Sequence, residues 1–476
     1  MSAATRTVGN GLFGWLGYVG STIAAVPGSY RAAFRRRPIQ TLVLSVIVVV
    51  GLVYPLIGHY FLQPFSREVF PLPIPDDTVM TFMTIYAIMA VGLNIVAGFA
   101  GLLDLGYVAF YAIGAYVAAF LASPFWAGIG LNFTFLSNTF EGNPGIHLPF
   151  WIVVPIAVVV VATFGALLGA PTLRLRGDYL AIVTLGFGEI VPLVFKNLSQ
   201  VTLVVHLGPI QIDMHSVNLT GGVQGINPVD PPFLPFFNIV FNAGAGYLPV
   251  YLGIVLLCVA ILVARNLEHS RIGRAWIAIR EDEMAAEMMG VNTTRTKLLA
   301  FALGASFAGV AGALQASYLG ATTSDFFDFN ISILVLITII LGGIGNIWGA
   351  VVGAFTLIYV NAALLPYLSQ RAQEQGLPNL AQYNFLIFGV ILVLMMRFRP
   401  QGFLPSRQRE AELSISALKE AASAGGSAPP VDPETGEIIE LRGGEDIENV
   451  VIAPPGQDET GPDARTPEVP SEAEDL

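Results

Sequence analysis

Long apolar runs, separated by shorter polar stretches, dominate the chain. Runs of about 20 residues, the length of helix that crosses the hydrocarbon core of a bilayer, recur from Thr41 to Met396. This pattern predicts an all-α fold, a polytopic transmembrane helix bundle of about ten spans. The predicted spans are 41–62, 79–98, 104–122, 150–170, 179–197, 247–265, 297–319, 331–344, 347–366 and 383–398.

The basic residues predict which loops face the cytoplasm, because short cytoplasmic loops of membrane proteins are rich in Lys and Arg. Segments 123–149 and 198–246 contain neither residue and are predicted to be periplasmic. Basic residues lie instead in the stretches 31–37, 174–176, 268–297 and 397–409. The sequence therefore predicts a multi-pass protein of the bacterial inner membrane with both termini in the cytoplasm.

This alternation of sides depends on the segment 331–366. A single span there would place the C-terminal arginines outside, so the segment is predicted to cross twice. The glycine-rich break LGGIGNIWG separates the two halves. The first half, 331–344, is short, so a segment that enters and returns on the same side is the alternative.

Two flanking segments lie outside the membrane domain, which is predicted at 41–400. Residues 1–40 are predicted to be a cytoplasmic extension whose apolar part, 11–26, lies along the membrane surface or, alternatively, spans it. Residues 401–476 are predicted to be an acidic, disordered cytoplasmic tail, since from Glu410 onward 17 acidic residues accompany three basic ones. The rest of the chain carries 20 basic and 17 acidic residues, so the net charge of −11 comes from the tail.

The composition excludes several classes of protein. Hydrophobic residues make up 54% of the chain and charged residues 12%, unlike a soluble globular domain. No GxxxxGK[ST] motif is present, so this chain is expected to have no ATP site of its own, and any ATP dependence must come from another subunit. The five histidines show no metal-ligand spacing, and no nucleic-acid partner is expected. The single cysteine, Cys258, is predicted to be a small buried hydrophobe.

The segment 268–297, called the charged loop here, is the longest charged stretch between apolar runs. Its apolar residues recur at helical spacing, and Gly290 is a natural C-terminal stop. The sequence therefore predicts a short helical hairpin on the cytoplasmic face. The apolar positions of this pattern are Leu267, Ile272, Trp276 and Ile279.

The side chains of the charged loop favour docking to a soluble partner. Ala285 and Ala286 leave little side-chain bulk, and three methionines add apolar surface that adapts to a groove. These methionines are Met284, Met288 and Met289. The alternative is an ordinary amphipathic connector, held at the membrane by arginines whose charged ends reach water.

A few polar residues within the spans could have functional roles. Glu189 lies 11 residues after Asp178, the predicted cap of its span, and so about 16 Å along the helix, near the middle of the bilayer. A carboxylate there is costly unless it is paired, protonated or turned inward. Glu189 is therefore a candidate for the translocation path, or else it bonds another helix or Lys196. Asn94 is a second candidate for the path, as a buried amide predicted to bond another helix, and Asp104 is predicted to be a helix cap.

Small residues four positions apart predict close contacts between helices. Such pairs indicate a tightly packed bundle and carry no information about a substrate. They are Gly165/Gly169, Gly304/Ala308 and Gly345/Gly349/Gly353.

Several segments resemble, in order, the LivM-type permease of bacterial branched-chain amino-acid ABC importers. The resemblance covers roughly residues 80–400, and the combination of segments is highly specific. The segments are GLNIVAGFAGLLDLGYVAFYAIGAYVAA (92–119), LRLRGDYLAIVTLGFGEIV (173–191), SRIGRAWIAIREDEMAAEMMGVNTTRTKLLAFALGASFAGVAGAL (270–314), LGGIGNIWGAVVGA (341–354) and RFRPQGFL (397–404).

The resemblance implies partners and a mechanism. The partners would be a second, LivH-like permease, two cytoplasmic ATPase subunits that bind ATP and Mg²⁺, and a periplasmic substrate-binding protein. The charged loop would correspond to the ATPase-coupling region, although Met284 stands where the family pattern has an acid, and Glu283 precedes it. The residues that this implies for coupling are Arg274, Trp276, Glu283, Ala285, Ala286 and Gly290.

Three other functions stay open at this point. The chain could be an ABC permease for another small solute, such as urea or an amide. It could be a secondary transporter that uses Glu189 as a proton relay. It could also be a membrane scaffold whose acidic tail binds a partner.

Overall fold

The computed structural model describes residues 73–129, 133–134, 145–172, 178–198, 201–207, 210–218, 220–234, 239–376, 378–399 and 402–404. Predictions for the span 41–62, the extension 1–40 and nearly all of the tail lie outside these residues. In chain order the α-helices are α1 Asp77–Leu93, α2 Tyr107–Leu121, α3 Phe150–Thr172, α4 Asp178–Asn197, α5 Leu248–Glu268, α6 Arg271–Glu281, α7 Glu283–Met288, α8 Thr293–Leu319, α9 Phe329–Gly342, α10 Ile347–Tyr359, α11 Leu365–Glu374 and α12 Asn384–Phe398.

Short non-α segments interrupt or extend these helices. The π-helical segment Asn94–Phe99 continues α1, and the π-helical segment Val360–Leu364 joins α10 to α11. Three 3-10 turns complete the helical elements of the described residues. They are Pro124–Ile129, Ser324–Phe326 and Leu380–Tyr383.

The helices coincide with nine of the predicted spans. Seven helical segments in the described part are long and apolar enough to cross a membrane, and two shorter ones are Tyr107–Leu121 and Leu380–Met395. The crossing segments are Asp77–Phe99, Phe150–Thr172, Tyr179–Asn197, Leu248–Glu268, Thr293–Leu319, Ser324–Gly342 and Ile347–Glu374. A multi-pass helical membrane protein is therefore confirmed, while the count of ten crossings stays a prediction.

Helices α1, α2 and α8 form the centre of the bundle, where glycines let backbones approach closely. A Cβ atom on Gly312 of α8 would overlap the Tyr111 carbonyl oxygen of α2. One on Gly114 would lie 2.6 Å from the Cα atom of Gly309. The predicted pair member Gly165 likewise approaches α8, because its added Cβ would lie 2.8 Å from that of Ala305. Contacts this short require glycine, so small residues determine where these helices cross.

Loops at each end of the bundle contact one another and so define two faces. One end of the bundle, called the arginine-rich end here, carries Arg397 and Arg399. There the backbone N–H groups of Phe403 and Leu404 donate to the carbonyls of Leu341 and Gly342, at 2.8 and 2.9 Å. At the opposite end, Ile226 pairs with Thr322 by two backbone hydrogen bonds of 2.9 and 3.1 Å. The contacts join loops that the sequence predicts on the same side.

The segment that carries α9 reaches from one end to the other. Asp325, just before α9, forms an ion pair with Lys196 at the opposite end, with 3.3 Å between the Nζ and Oδ1 atoms. Leu341, near the C-terminus of α9, bonds Phe403 at the arginine-rich end. A segment that returned to its own side could not make both contacts, so the structure favours a crossing over re-entrance.

The all-α prediction missed several short strands at the opposite end of the bundle. Strands β4 Val201–Leu207 and β5 Ile210–Val217 form an antiparallel hairpin. The signal was available, because 201–217 is rich in β-branched residues and has Gly-Pro at its centre. The other strands are β1 Ala122–Ser123, β2 Phe133–Thr134 and β3 Ile146–His147 in one sheet, ordered β1-β3-β2, and the pair β6 Phe233–Leu234 with β7 Ile239–Val240.

The prediction that Cys258 is buried is wrong. Its side chain is exposed on α5, among outward-facing apolar residues such as Val255 and Val259. An apolar run does not reveal which of its faces packs inward when both faces are apolar, because lipid and protein core favour the same residues.

Candidate functional site

The charged loop folds into the two short helices α6 and α7 at the arginine-rich end. The chain turns sharply from α5 into α6, where a Cβ on Gly273 would overlap the Leu267 and Glu268 carbonyl oxygens. The Ser270 hydroxyl caps α6 by accepting from the Gly273 N–H at 3.1 Å. The Asp282 carboxylate caps α7 by accepting from the Ala285 N–H at 3.0 Å. Local caps and a required glycine therefore determine the shape of the pair.

One face of α6 anchors the pair to the bundle. Trp276 is fully buried, and its indole N–H donates to the Thr296 carbonyl of α8 at 2.8 Å. Ile279 lies one turn further along the same face and is also buried, whereas the predicted stripe member Ile272 is 38% exposed. The predicted buried face is therefore confirmed at Trp276 and Ile279, but it does not extend to Ile272 at the start of α6.

The outer surface of α7 is exposed, and it is largely apolar apart from Glu287. Met284, Met288 and Met289 are 63%, 81% and 85% exposed, and Ala285 between them is exposed as well. The Gly290 backbone has φ +85°, a conformation that favours glycine, and it ends the turn after α7. Since flexible methionine side chains adapt to grooves, this surface suits a protein partner.

Glu283 is already paired within the chain. Its Oε1 atom lies 2.6 Å from Nζ of Lys297, whose side chain is only 11% exposed. The ion pair fixes the start of α7 against the start of α8. The sequence named Glu283 as a displaced family acid, and the structure gives it a partner that the sequence did not predict.

Arg280 connects the helix pair to the π-helical segment after α1. Its guanidinium Nη1 donates to the Gly98 carbonyl at 2.7 Å, and its aliphatic part packs on Gly101. Within the same π-helical segment, the Asn94 side-chain Oδ1 accepts from the Gly345 N–H, in the turn between α9 and α10, at 2.8 Å. A continuous set of contacts therefore runs from α6 through the end of α1 to the α9–α10 turn.

The sequence did not single out Arg280 for this role. The available signal was its spacing, since Arg280 follows Trp276 by four residues and so lies near the buried face of α6. The sequence predicts that Asn94 bonds another helix, whereas its Oδ1 atom accepts from the backbone of Gly345, which lies in the α9–α10 turn. Asn94 is fully buried, and its amide nitrogen has no hydrogen-bond partner among the described residues.

Apart from the half-buried Glu283, which is paired with Lys297, the predicted coupling residues fall into two groups. Arg274, Ala285 and Gly290 are exposed and can contact a partner. Trp276 and Ala286 are buried, so they can hold the pair in place but cannot form its surface. The sequence grouped both kinds together because small and aromatic residues occur in cores and at interfaces alike.

Glu189 lies apart from the helix pair, on the exposed side of α4. No hydrogen bond or ion pair joins it to the other described residues, and its proposed neighbour Lys196 pairs with Asp325 instead. Pairing of Glu189 with Lys196 is therefore wrong. Asp104 is not the helix cap that the sequence predicts, because the N-cap of α2 is Gly106 and no side chain caps this helix; the Asp104 Oδ1 atom accepts from the Gly106 N–H at 2.9 Å.

The opposite end contains one buried polar pair. Nδ1 of His147 lies 2.7 Å from Oδ2 of Asp230 and joins β3 to the 220–234 segment. Burial raises the pKa of the Asp230 carboxyl, and the hydrogen bond with His147 opposes that shift. No group of three or more potential metal ligands occurs among the described residues.

Comparison with known proteins places these features in context. Residues 77–396 match the family described as branched-chain amino acid transport system / permease component. The chain is 35% identical over 360 residues to the high-affinity branched-chain amino acid transport system permease protein LivM of Salmonella typhimurium, and equally to LivM of Escherichia coli K12. In both comparisons the match covers 72% of this chain and 72% of the relative.

A second kind of permease is also similar to this chain. The permease protein LivH of the same system in Escherichia coli K12 is 23% identical over 329 residues, which cover 68% of this chain and 92% of LivH. No solved structure matches the chain.

Proposed function

Because the chain belongs to the permease-component family of branched-chain amino acid transport systems, as a LivM-type permease, we propose that it is the membrane subunit of an ATP-driven importer. It moves branched-chain amino acids from the periplasm to the cytoplasm across the bacterial inner membrane. Its partners are a LivH-like permease, two cytoplasmic ATPase subunits and a periplasmic binding protein. ATP and Mg²⁺ bind to the ATPase subunits, and this chain performs no catalysis.

The observation that carries the proposal is the exposed methionine surface of α7, supported on a rigidly anchored α6. An ATPase subunit docks on that surface and moves when it binds and hydrolyses ATP. Trp276 and the Glu283–Lys297 ion pair hold α6 and α7 to the start of α8, so the pair moves with the bundle. The docking surface itself supplies no chemistry, because its exposed side chains are largely apolar.

The contacts of Arg280 supply a route for this movement into the membrane. Displacement of α6 pulls on the Gly98 carbonyl in the π-helical segment, and such segments occur frequently at functional sites. Asn94 in that segment bonds the α9–α10 turn, which shifts in step. The two permeases thereby expose a central path alternately to each side, and Glu189 and Asn94 are the candidates for its lining in this chain.

Docking is tested by a charge on the surface of α7. We expect Met288→Asp to release the ATPase subunits during purification of the complex and to abolish leucine uptake by proteoliposomes. Met288 is 81% exposed, so the change leaves the fold of the chain intact. The matched control is Val223→Asp, which places the same charge on a 57% exposed residue at the opposite end. ATPase subunits that stay bound to the Met288 variant would contradict the proposal.

The same proteoliposomes distinguish this function from two alternative functions. If uptake continues without ATPase subunits and depends on a proton gradient and on Glu189, the chain is a secondary transporter. If ATP-dependent uptake is found for urea or an amide and not for leucine, the substrate assignment is wrong and the mechanism is retained.

A further inference from the structure

The outward face of α4 carries a carboxylate within an apolar stripe. Exposed side chains recur along the helix at spacings of three, four and seven residues, which places them on one face. The apolar members are 52–70% exposed. This face, called the α4 stripe here, consists of the exposed residues Tyr179, Ile182, Glu189, Ile190 and Leu193 together with the half-buried Gly186.

Glu189 makes this face unsuitable for contact with lipid. It lies 11 residues from the first residue of α4 and eight from the last, so it is about 16 and 12 Å from the two ends along the helix. An unpaired carboxylate at that depth costs several kcal/mol in hydrocarbon, and such residues usually face protein or a water-filled cavity. Among the described helices that could cross the membrane, it is the acidic residue farthest from a helix end.

Gly186 makes the same face suitable for another helix. A Cβ atom at this position would meet nothing within 4 Å, so its own chain does not require glycine there. The opposite side of α4 is already packed, since the Thr184 hydroxyl accepts from the Leu105 N–H at 3.1 Å and Gly188 lies against Gly106. A glycine on the open side, one turn from a carboxylate, allows the backbone of a second helix to come close.

The other exposed faces have the character of lipid contacts. The outward side chains of α5 and α12 are apolar except near the helix ends, where Arg265 and Arg397 are exposed; Val255 and Leu386 are apolar examples, at 55% and 66% exposure. Gly389 of α12 also has open space beside it, but no charged residue accompanies it within the helix interior. The carboxylate therefore distinguishes the α4 stripe from these faces.

We propose that the α4 stripe is the surface on which the second permease packs, with a hydrogen-bond donor of that subunit facing Glu189. This inference rests on the proposed function, from which it takes the second permease. The occupant is a LivH-like chain because Escherichia coli K12 has LivM and LivH as permease proteins of one system, and both are similar to this chain. The central path then runs beside α4, where Glu189 contacts both subunits.

Photocrosslinking in the complete complex identifies the occupant. A benzophenone amino acid is placed at Ile182 or Ile190 of the α4 stripe and, as controls, at Val255 and Leu386. We expect adducts with the second permease from the stripe positions and none with protein from the controls. An adduct with another copy of this chain, or no protein adduct from the stripe, would overturn the proposal.

A matched pair of glycine substitutions measures the contact. We expect Gly186→Leu to reduce the amount of second permease that copurifies about tenfold, which corresponds to about 1.4 kcal/mol, while Gly389→Leu leaves it unchanged. Neither new side chain meets its own chain within 4 Å at the Cβ position, so both variants fold. Equal retention of the second permease by both variants would contradict the proposal.

The readouts separate this proposal from the proposed function. ATPase subunits bind at α7, so they stay attached to the Gly186 variant if only the permease contact is lost. If Met288→Asp does not release the ATPase subunits, docking at α7 is contradicted, while the crosslinks between the α4 stripe and the second permease are unaffected.

Discussion

At the scale of single residues, burial divides the charged loop into anchors and surface. Trp276 and Arg280 direct their polar atoms to the bundle and Lys297 pairs with Glu283 of α7, whereas the methionines on and just after α7 point outward. Sequence reasoning identified the segment and its amphipathic face from spacing alone. It did not reveal the partners of Arg280 and Lys297, because the Gly98 carbonyl lies 182 positions from Arg280 and Glu283 lies on a different helix from Lys297.

Removal of the Arg280 guanidinium tests transmission separately from docking. We expect Arg280→Met to retain the ATPase subunits and to lower leucine uptake per bound ATPase about tenfold or more, since a hydrogen bond to a charged group contributes about 1.5–3 kcal/mol. Arg295→Met, at an exposed position, serves as the control. The measurement is uptake and ATP hydrolysis by the same proteoliposomes, and normal uptake by the Arg280 variant would exclude this route.

At the scale of elements, the crossing of α2 and α8 shows what glycine patterns can and cannot predict. The sequence identified the Gly304/Ala308 pair of α8, and the structure adds Gly309 and Gly312. Small-residue spacing predicts that a helix packs closely. It does not name the helix on the other side, since that depends on how the whole bundle folds.

The same crossing gives a prediction about stability. Gly312→Val places a side chain against the Tyr111 carbonyl oxygen, which is backbone and cannot turn away. We expect a loss of about 3 kcal/mol or more, at the upper end of the range for overpacking. Thermal unfolding and size-exclusion chromatography in detergent check this, with Gly389→Val as the control. Equal melting temperatures for the two variants would contradict the prediction, because they would show that α2 and α8 move apart at Gly312 with no loss of stability.

At the scale of the whole molecule, loop contacts support the assignment of sides that charge predicts. Residues 342–346 and 402–404 meet at the arginine-rich end, and 220–226 meets 322 at the other. The positive-inside pattern was informative because loops without Lys or Arg are long in this chain. It could not predict the β-hairpin of those loops, which depends on local pairing and not on charge.

Labelling from the two sides of the membrane tests this assignment. In a Cys258→Ser background, we expect Val223→Cys to react with an impermeant maleimide added to intact spheroplasts. In cells that lack the ATPase subunits, so that the surface of α7 is uncovered, Met289→Cys should react only after the membrane is opened. Both side chains are exposed, at 57% and 85%, so the side of the membrane on which each residue lies, and not its burial, decides whether it reacts. The reverse pattern would invert the topology and place α7 away from any cytoplasmic ATPase.

The bond between Asn94 and Gly345 has a consequence for the order in which the protein is made. Its two residues are 251 positions apart in the chain. At about 5–20 residues per second, the ribosome takes roughly 12 to 50 s to reach Gly345 after Asn94 has entered the membrane. During that interval the Asn94 side chain has no Gly345 to bond, and water, lipid headgroups or the insertion machinery must solvate it. The α9–α10 turn then gains its contacts with residues 402–404 when they emerge, so the arginine-rich end of the bundle is completed only after α12, the last helix of the described residues, has left the ribosome.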